Sequence, residues 1–448
     1  MMALLSAERS LLSDQRPTLV RYQVLAVACS LAVLTYVQRQ GFIAATPYIK
    51  SDLGLDDRQM GTFLAVWLWA YGIFQIPGGS LADWIGARLS LSLLVLLWSV
   101  TLAAVALTVY APAAGAFAIA LVLRFGFGAF QAGVFPGVAR IVADWMPAQQ
   151  RGSAQGWIWT FSRIGGAASP ILAVWLITQV LGGWSQTLML LAGVGVAWAI
   201  GFWFWFRNRP EDMPSVNQAE RDLILLARPP PPPKPEPLPV FSFLSSPSVW
   251  GLCLMYGFVG FAGNFITSFL PVYLRDHRHL SDATTGWLQG VPLWAGMISC
   301  LSGGAASDWL IRRLDSRKWG RRLVGLVALG LAGVATILTP TLSEVWQLTI
   351  VLGAWMFFND AMLGPAWASC ADIGERHAGS LSGAMNMTGA FAGAIGVRMA
   401  GGWLEAGHYG LMFGVFAVCY VVAALCWLLV DVTQPLTRSA EELEVEAA

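Results

Sequence analysis

The sequence predicts an all-α membrane protein of twelve transmembrane helices, arranged as two six-helix halves in a parallel repeat. Three observations carry that prediction. Only 12% of the 448 residues are charged and 56% are apolar, against roughly 25% charge in an ordinary soluble domain. At roughly 20 residues per span, the apolar content suffices for about twelve spans. Long windows contain no Asp, Glu, Lys or Arg, and one loop motif recurs half a chain later. This composition excludes a conventional cytosolic enzyme, and a net charge of +1 gives no basic footprint for nucleic acid.

The spans follow in order. The first lies near residues 22–47 and the second is the charge-free window Gln59–Ala82. The window Leu89–Leu123 supplies the third, ended by Pro112, and a fourth follows near 125–143. Ile164–Phe206 holds two spans divided at Gly182-Gly183. Phe241–Leu274 and Ala283–Ser307 are the seventh and eighth, runs near 321–340, 345–371 and 380–404 the next three, and Ala406–Val430 the twelfth. No cleavable signal fits, because Glu8, Arg9, Asp14 and Arg16 interrupt the start. The six cysteines fall in apolar stretches without a CxxC pair and read as small hydrophobes, with no disulfide, metal or cofactor implied.

Loop charge assigns the orientation. Arg312, Arg313, Arg317, Lys318, Arg321 and Arg322 follow the eighth span, and Arg207, Arg209, Arg221, Arg228 and Lys234 follow the sixth. The opposite loops hold only Lys50, Arg58, Arg275 and Arg278. Both termini are therefore cytoplasmic, in a multi-pass protein of the plasma membrane, the inner membrane in a Gram-negative cell. The chain divides into a cytoplasmic segment 1–20, a first half 21–206, a proline-rich cytoplasmic linker 207–247, a second half 248–433 and a cytoplasmic tail 434–448. The run Pro229–Pro233 and the following Lys-Pro-Glu-Pro-Leu-Pro favour polyproline II and read as a semi-stiff tether.

The repeat is explicit. Gly78-Gly-Ser-Leu-Ala-Asp83-Trp84-Ile-Gly-Ala-Arg88 returns as Gly303-Gly-Ala-Ala-Ser-Asp308-Trp309-Leu-Ile-Arg-Arg313. Asp144 and Gly152-Ser-Ala-Gln-Gly156 return as Asp372 and Gly379-Ser-Leu-Ser-Gly383. Paired glycines permit close helix approach, and an Asp at the membrane edge accepts from helix amides or pairs with a base. Gly79, Asp83, Gly86, Arg88 and Asp308 thus form a gating loop. This motif resembles the signature loop of the major facilitator superfamily, with Trp84 where that family usually has a basic residue. The resemblance implies a substrate site near the bilayer midplane between the halves, and alternating access.

An ionisable residue inside a span is expensive and a functional candidate by default. Arg39, Arg124, Arg163 and Arg398 are the basic ones and Asp360 is the clearest acidic one. An excess of arginine implies an anionic substrate, which guanidinium groups hold bidentately. Arg39, Arg124 and Arg163 read as substrate-binding residues, Arg163 alternatively as a partner of Asp360 and Arg124, near a helix end, alternatively as a snorkelling side chain. Asp360 alternatively binds a sodium ion. The Gly364-Pro365 step in the tenth span frees carbonyls for a ligand or a hinge.

Tyr36-Val-Gln-Arg39, Trp69-Ala-Tyr71 with Gln75-Ile-Pro-Gly-Gly79, and Leu123-Arg124 through Phe135-Pro136 resemble the anion:cation symporter branch of that superfamily. In its sugar-acid members the matching Arg39 binds the carboxylate, Tyr36 and Tyr71 touch substrate, and Trp367 and Asn386 complete the site. Proton-coupled members carry Asp and Glu where this chain has Gln38 and Gln131. Glutamine keeps the hydrogen bonds of a protonated carboxyl but cannot titrate. Facilitated diffusion, anion exchange and coupling through another group, with Asp360 the obvious one, remain open. The reading is a monomeric secondary transporter for a small organic anion such as a sugar acid. Tyr36, Tyr71, Asn264 and Asn386 are its donors to substrate hydroxyls. An organophosphate exchanger is disfavoured because Trp250–Leu274 holds no Lys or Arg, and a sensor because no sizeable soluble domain exists. No catalytic motif appears, so the chain does not read as an enzyme.

Overall fold

The computed structural model describes residues 16–110, 113–225 and 240–436. Pro112, Arg228, the Pro229–Pro233 run and Lys234 lie outside the described residues, as do the charges expected to rule out a leader, Glu8, Arg9 and Asp14. The rods are α1 (Val20–Asp52), α2a (Asp57–Ile73) with α2b (Gln75–Ile85), α3 (Ala87–Ala106), α4a (Ala113–Ala132) with α4b (Val134–Trp145), α5 (Arg151–Trp175) and α6 (Trp184–Trp205). The second half comprises α7 (Pro247–Ser268), α8 (Asp282–Leu314), α9 (Arg317–Leu338), α10a (Val345–Ala361) with α10b (Leu363–Gly374), α11 (Ala378–Glu405) and α12 (Tyr409–Cys426).

Among the described residues nine helices are long and apolar enough to cross a membrane, or ten with the bent α2 pair. With each broken pair taken as one, the described residues nevertheless form twelve rods. The 61-residue stretch Val345–Glu405 counts once although it holds both α10 and α11, and α8, 33 residues long, is made less apolar by the Gly, Ser, Thr and Gln residues of its charge-free part. Charged side chains also displaced the expected limits. The charge-free window opens at Ile164, whereas α5 begins at Arg151, because Arg151 and Arg163 are paired inside the protein.

Three rods break in mid-course for one reason. Phe74, Gly133 and Met362 separate their a and b parts, and each stands three residues before a proline: Pro77, Pro136 and Pro365. Proline has no N–H for the carbonyl four residues back, and its ring crowds that turn. The bend at Phe74 is 46°. Only the b segments lie along the opposite half: α2b on α11, α4b on α10b and α11, and α10b on α5. Segments α4a and α10a pack within their own halves, and α2a touches α11 only lightly. The halves therefore meet at the end bearing the repeated loop and diverge towards the other end.

The two repeat signals are the two sides of one contact. Asp83 accepts from the Gly379 and Ser380 N–H groups at 2.9 and 2.7 Å, at the N-terminus of α11. Asp308 accepts from the Gly152 and Ser153 N–H groups at 3.1 and 2.6 Å, at the N-terminus of α5. Each half thus caps a helix of the other with a carboxylate, where the helix dipole favours negative charge. The glycines make this approach possible: a Cβ on Gly79 would lie 2.1 Å from the Gly379 carbonyl oxygen, and one on Gly304 2.2 Å from that of Gly152.

Arg88 donates to the Trp203 carbonyl at 2.8 Å, and Arg322 likewise to Val430 at 2.6 Å, so each half ties its third helix to the end of its last. Gly86, at φ +82°, supplies the turn that starts α3. Trp84 and Trp309 both project outward, 70% and 56% exposed, as side chains of the membrane interface do. Beyond α6, a short helix at Gln218–Leu225 carries the fully buried Glu220. Its carboxylate receives the Thr18 hydroxyl at 2.5 Å, the Val20 and Arg21 N–H groups at 3.2 and 3.1 Å, and the Arg21 guanidinium at 2.9 Å. The start of the linker is thereby fastened to the start of α1.

Candidate functional site

Arg39 projects from α1 into an aromatic box. Its guanidinium carbon lies 4.5 Å from the Tyr71 ring centre, 4.8 Å from Trp67 and 5.1 Å from Tyr36, within cation–π range. Its Nε donates to Gln131 Oε1 at 3.2 Å, and Gln131 Nε2 donates to the Thr35 carbonyl at 3.3 Å. The Nη2 of Arg39 is buried without a protein partner. Trp67, four residues before Tyr71 and so on the same helix face, stacks on it at 5.2 Å.

Arg124 on α4a also lies against Trp67. It is 1% exposed, and its guanidinium lies 3.7 Å from the centre of Phe42, 5.2 Å from Phe127, 5.6 Å from Trp67 and 5.9 Å from Phe63. Nε and Nη1 have no protein partner. Of the two readings of Arg124, snorkelling is not what the structure shows: the side chain turns inward, against the aromatic faces of Phe42, Phe63, Trp67 and Phe127. Among the described residues no carboxylate comes within ion-pair distance of Arg39 or Arg124.

Arg163 of α5 crosses to the second half, its Nη2 reaching Asp360 Oδ2 at 2.8 Å and Oδ1 at 2.9 Å. Asn359 donates to Asp360 Oδ1 at 2.9 Å, Tyr420 of α12 donates to Asn359 Oδ1 at 2.7 Å, and Trp355 Nε1 donates to Tyr420 at 2.8 Å. Between the halves, Asn386 of α11 donates to the Tyr71 hydroxyl at 3.5 Å. Trp367 of α10b packs against Trp159 at 5.3 Å and Phe135 at 6.1 Å and donates to the Tyr256 hydroxyl at 3.3 Å. Tyr36 meets Phe135 edge-on at 6.2 Å.

Tyr36, Arg39, Tyr71, Gln131 and Asn386 therefore form one cluster, Arg163 and Asp360 a second, and Trp367 stands between Tyr256 and the α4b–α5 aromatics. Gln38 belongs to none of these. It donates to the Leu191 carbonyl at 2.7 Å and accepts from Trp98 Nε1, facing α3 and α6 rather than Arg39. Gly79, Asp83, Gly86, Arg88 and Asp308 lie at the closed end. Arg398 and Asn264 are exposed on α11 and α7. The sequence reading missed Trp67, Phe42, Phe63, Phe127, Tyr256 and the Asn359–Tyr420 pair, whose residue types do not stand out in a chain with 22 Trp and 23 Phe.

A two-half helical bundle closed at one end, with unpaired guanidinium groups buried in its first half, is the build of a membrane carrier. The chain belongs to the Major Facilitator Superfamily, whose family model matches residues 28–397. It is 28% identical over 92% of its length to the probable sulfoacetate transporter SauU of Cupriavidus necator, covering 94% of that protein. It is also 28% identical to the probable galactarate/D-glucarate transporter GudP of Escherichia coli K12, covering 86% of this chain and 87% of the relative. With the hexuronate transporter of Bacillus subtilis the identity is again 28%, over 82% of this chain and 84% of that one. Among solved structures, the proton:xylose symporter XylE aligns with a TM-score of 0.69 at 14% identity, covering 95% of this chain and 98% of its own. A bacterial ferroportin homologue in its outward-facing state gives 0.69 at 14% identity, over 90% and 98% of the two chains. At such identities these two show the fold alone.

Proposed function

We propose that this chain is a monomeric secondary transporter that carries a small organic anion across the plasma membrane by alternating access. One observation carries the reading: Arg39 and Arg124 are held inside the helical bundle with buried, unpartnered N–H groups and, among the described residues, no carboxylate beside them. Buried charge without a counterion is costly, and an anionic ligand supplies the missing partner. Relatives named for sulfoacetate, galactarate, glucarate and hexuronate transport support the same substrate class.

The unsatisfied groups narrow it. Arg39 Nη2, Trp67 Nε1, Arg124 Nε and Nη1, Trp159 Nε1 and Arg163 Nε are buried donors without a protein partner, whereas Gln75 offers both a donor and an acceptor. Asn386 and Tyr71, expected to serve substrate hydroxyls, bond to each other. Such a site favours a ligand rich in acceptors, a carboxylate or sulfonate with two oxyanion groups, over one valued for its hydroxyls. Basic residues cluster at the closed end, which the positive-inside rule places in the cytoplasm. Both termini are then cytoplasmic and the halves diverge outward.

The test is uptake of labelled sulfoacetate, galactarate and hexuronates into proteoliposomes of the purified protein, with an Arg39→Ala control. Losing a charge-assisted contact of about 2–5 kcal/mol is expected to cut uptake by about 30-fold or more. Undiminished uptake by Arg39→Ala, or none of these anions carried by the unmodified protein, would overturn the proposal.

A further inference from the structure

Gln38 and Gln131 cannot titrate, and Asp83, Asp144, Asp308 and Asp372 gather at the closed end. Among the described residues Asp360 is thus the one carboxylate in mid-span, and it joins the two halves through Arg163. We infer that this ion pair is the coupling device of the transporter: an acid group of the incoming anion takes Arg163 from Asp360, and Asp360 takes up a proton in exchange. This rests on the anion-carrier reading above.

Exposure gives the order of events. The Arg163 side chain is 23% accessible and that of Asp360 0%, so an entering anion meets the guanidinium first. Arg163 Nε is unpartnered, leaving an edge of the fork unused while Nη2 holds Asp360. The carboxylate occupies a slot prepared for it, because a Cβ on Gly296 of α8 would lie 2.5 Å from Oδ2. Asp360 also stands two residues before the α10 break at Met362, where a shift of α10b relative to α10a alters the reach to α5.

The surroundings suit a carboxyl that changes state. The chain Trp355 to Tyr420 to Asn359 fixes the Asn359 amide with its N–H towards Oδ1, a donor that stays when Arg163 leaves. Among the described residues Oδ2 is then left with the Cys300 thiol at 3.9 Å. A buried carboxylate that has lost its cation is held far better as the neutral acid. The other ionisable groups facing the pair are Cys300 from α8, Tyr36 from α1, Tyr256 from α7 and Tyr420 from α12. The charges of α9 lie at its opposite end, Arg317 to Arg322.

The exchange balances. Before it, Asp360 carboxylate and Arg163 guanidinium form a neutral pair; one anion and one proton enter from the open side. Afterwards the anion is paired with Arg163 and the proton is on an Asp360 oxygen. Release on the other side returns both and re-forms the pair, giving one proton per anion.

The experiment uses full-length protein in proteoliposomes, with the membrane potential clamped at zero and the outside one pH unit more acidic. Labelled sulfoacetate and galactarate are the probes. One proton per anion sustains about tenfold accumulation per pH unit. Asp360→Asn is expected to bind and exchange the anion, more tightly because Arg163 has lost its internal partner, yet to accumulate it only onefold. In weakly buffered detergent, anion binding is expected to take up one proton per unmodified transporter and none per Asp360→Asn molecule. This binding readout needs no transport and separates coupling from simple instability of the variant. Counterflow by the unmodified protein without gradient-driven accumulation would overturn the inference and leave the anion-carrier reading standing. Tenfold accumulation by Asp360→Asn would do the same. Absence of counterflow and of binding for both anions in the unmodified protein would remove both.

Discussion

Arg39 and Gln38 are neighbours in sequence, yet one enters the aromatic box of Tyr36, Trp67 and Tyr71 and the other turns towards α3 and α6. The family resemblance grouped Arg39, Tyr36 and Tyr71, whose side chains do lie together, but because successive helical residues point about 100° apart it could not say which way Gln38 turned. That direction is set by Trp98 and the Leu191 carbonyl, contacts made across helices. Gln131 is different, because its side-chain oxygen lies 3.2 Å from Arg39 Nε. Gln131→Glu is therefore expected to put a carboxylate in competition with the substrate. At high pH the introduced carboxylate is ionised, occupies Arg39 and raises KM for the anion, by about tenfold for about 1.4 kcal/mol of competition. As pH falls the new carboxyl is protonated, Arg39 is freed and uptake recovers; KM measured from mildly acidic to mildly alkaline pH against the unmodified protein checks it.

At the scale of the elements, the glycine pairs and the prolines carry different information. The repeated Gly-Gly pairs and the distant Gly-Ser pairs were legible as two repeats. That each Asp caps the helix bearing the other motif was not, since a sequence repeat does not state which copies touch. The proline breaks were half legible. The Gly364-Pro365 step pointed to α10, but the break falls three residues before the proline, at the turn whose donor is missing. Gly304→Val places side-chain atoms against the Gly152 backbone, an overlap of the kind that costs about 1–3 kcal/mol. The closed end is expected to open more often. Because all six native cysteines are buried, a reporter Ser380→Cys, at a position 1% exposed, reads this directly. Its labelling by a hydrophilic maleimide is expected to speed up about tenfold in the Gly304→Val background, in line with about 1.4 kcal/mol.

Across the whole molecule, fold and repeat followed from hydropathy and motif spacing, whereas the packing of the linker did not. Residues 207–225 read as polar connection, yet Glu220 is fully buried against the start of α1. Glu220→Ala removes one partner of a buried pair, a change that costs about 3–5 kcal/mol. A thermal-shift measurement in detergent is expected to show a drop of several degrees, with Arg39-dependent binding of the anion retained. The closed end itself is uneven. On the α5–α8 side Arg321 donates to Asp308 at 2.8 Å and Asp372 at 3.2 Å, and Arg151 donates to Asp372 at 2.7 Å, all buried. In the first half the position before Arg88 is Ala87, where the second half has Arg321 before Arg322, and Asp83 has Arg140 only at 3.8 Å. The two seams thus differ as the hinge side of a door differs from its latch side: with buried ion pairs on one edge only, the α2–α11 edge is expected to part before the α5–α8 edge.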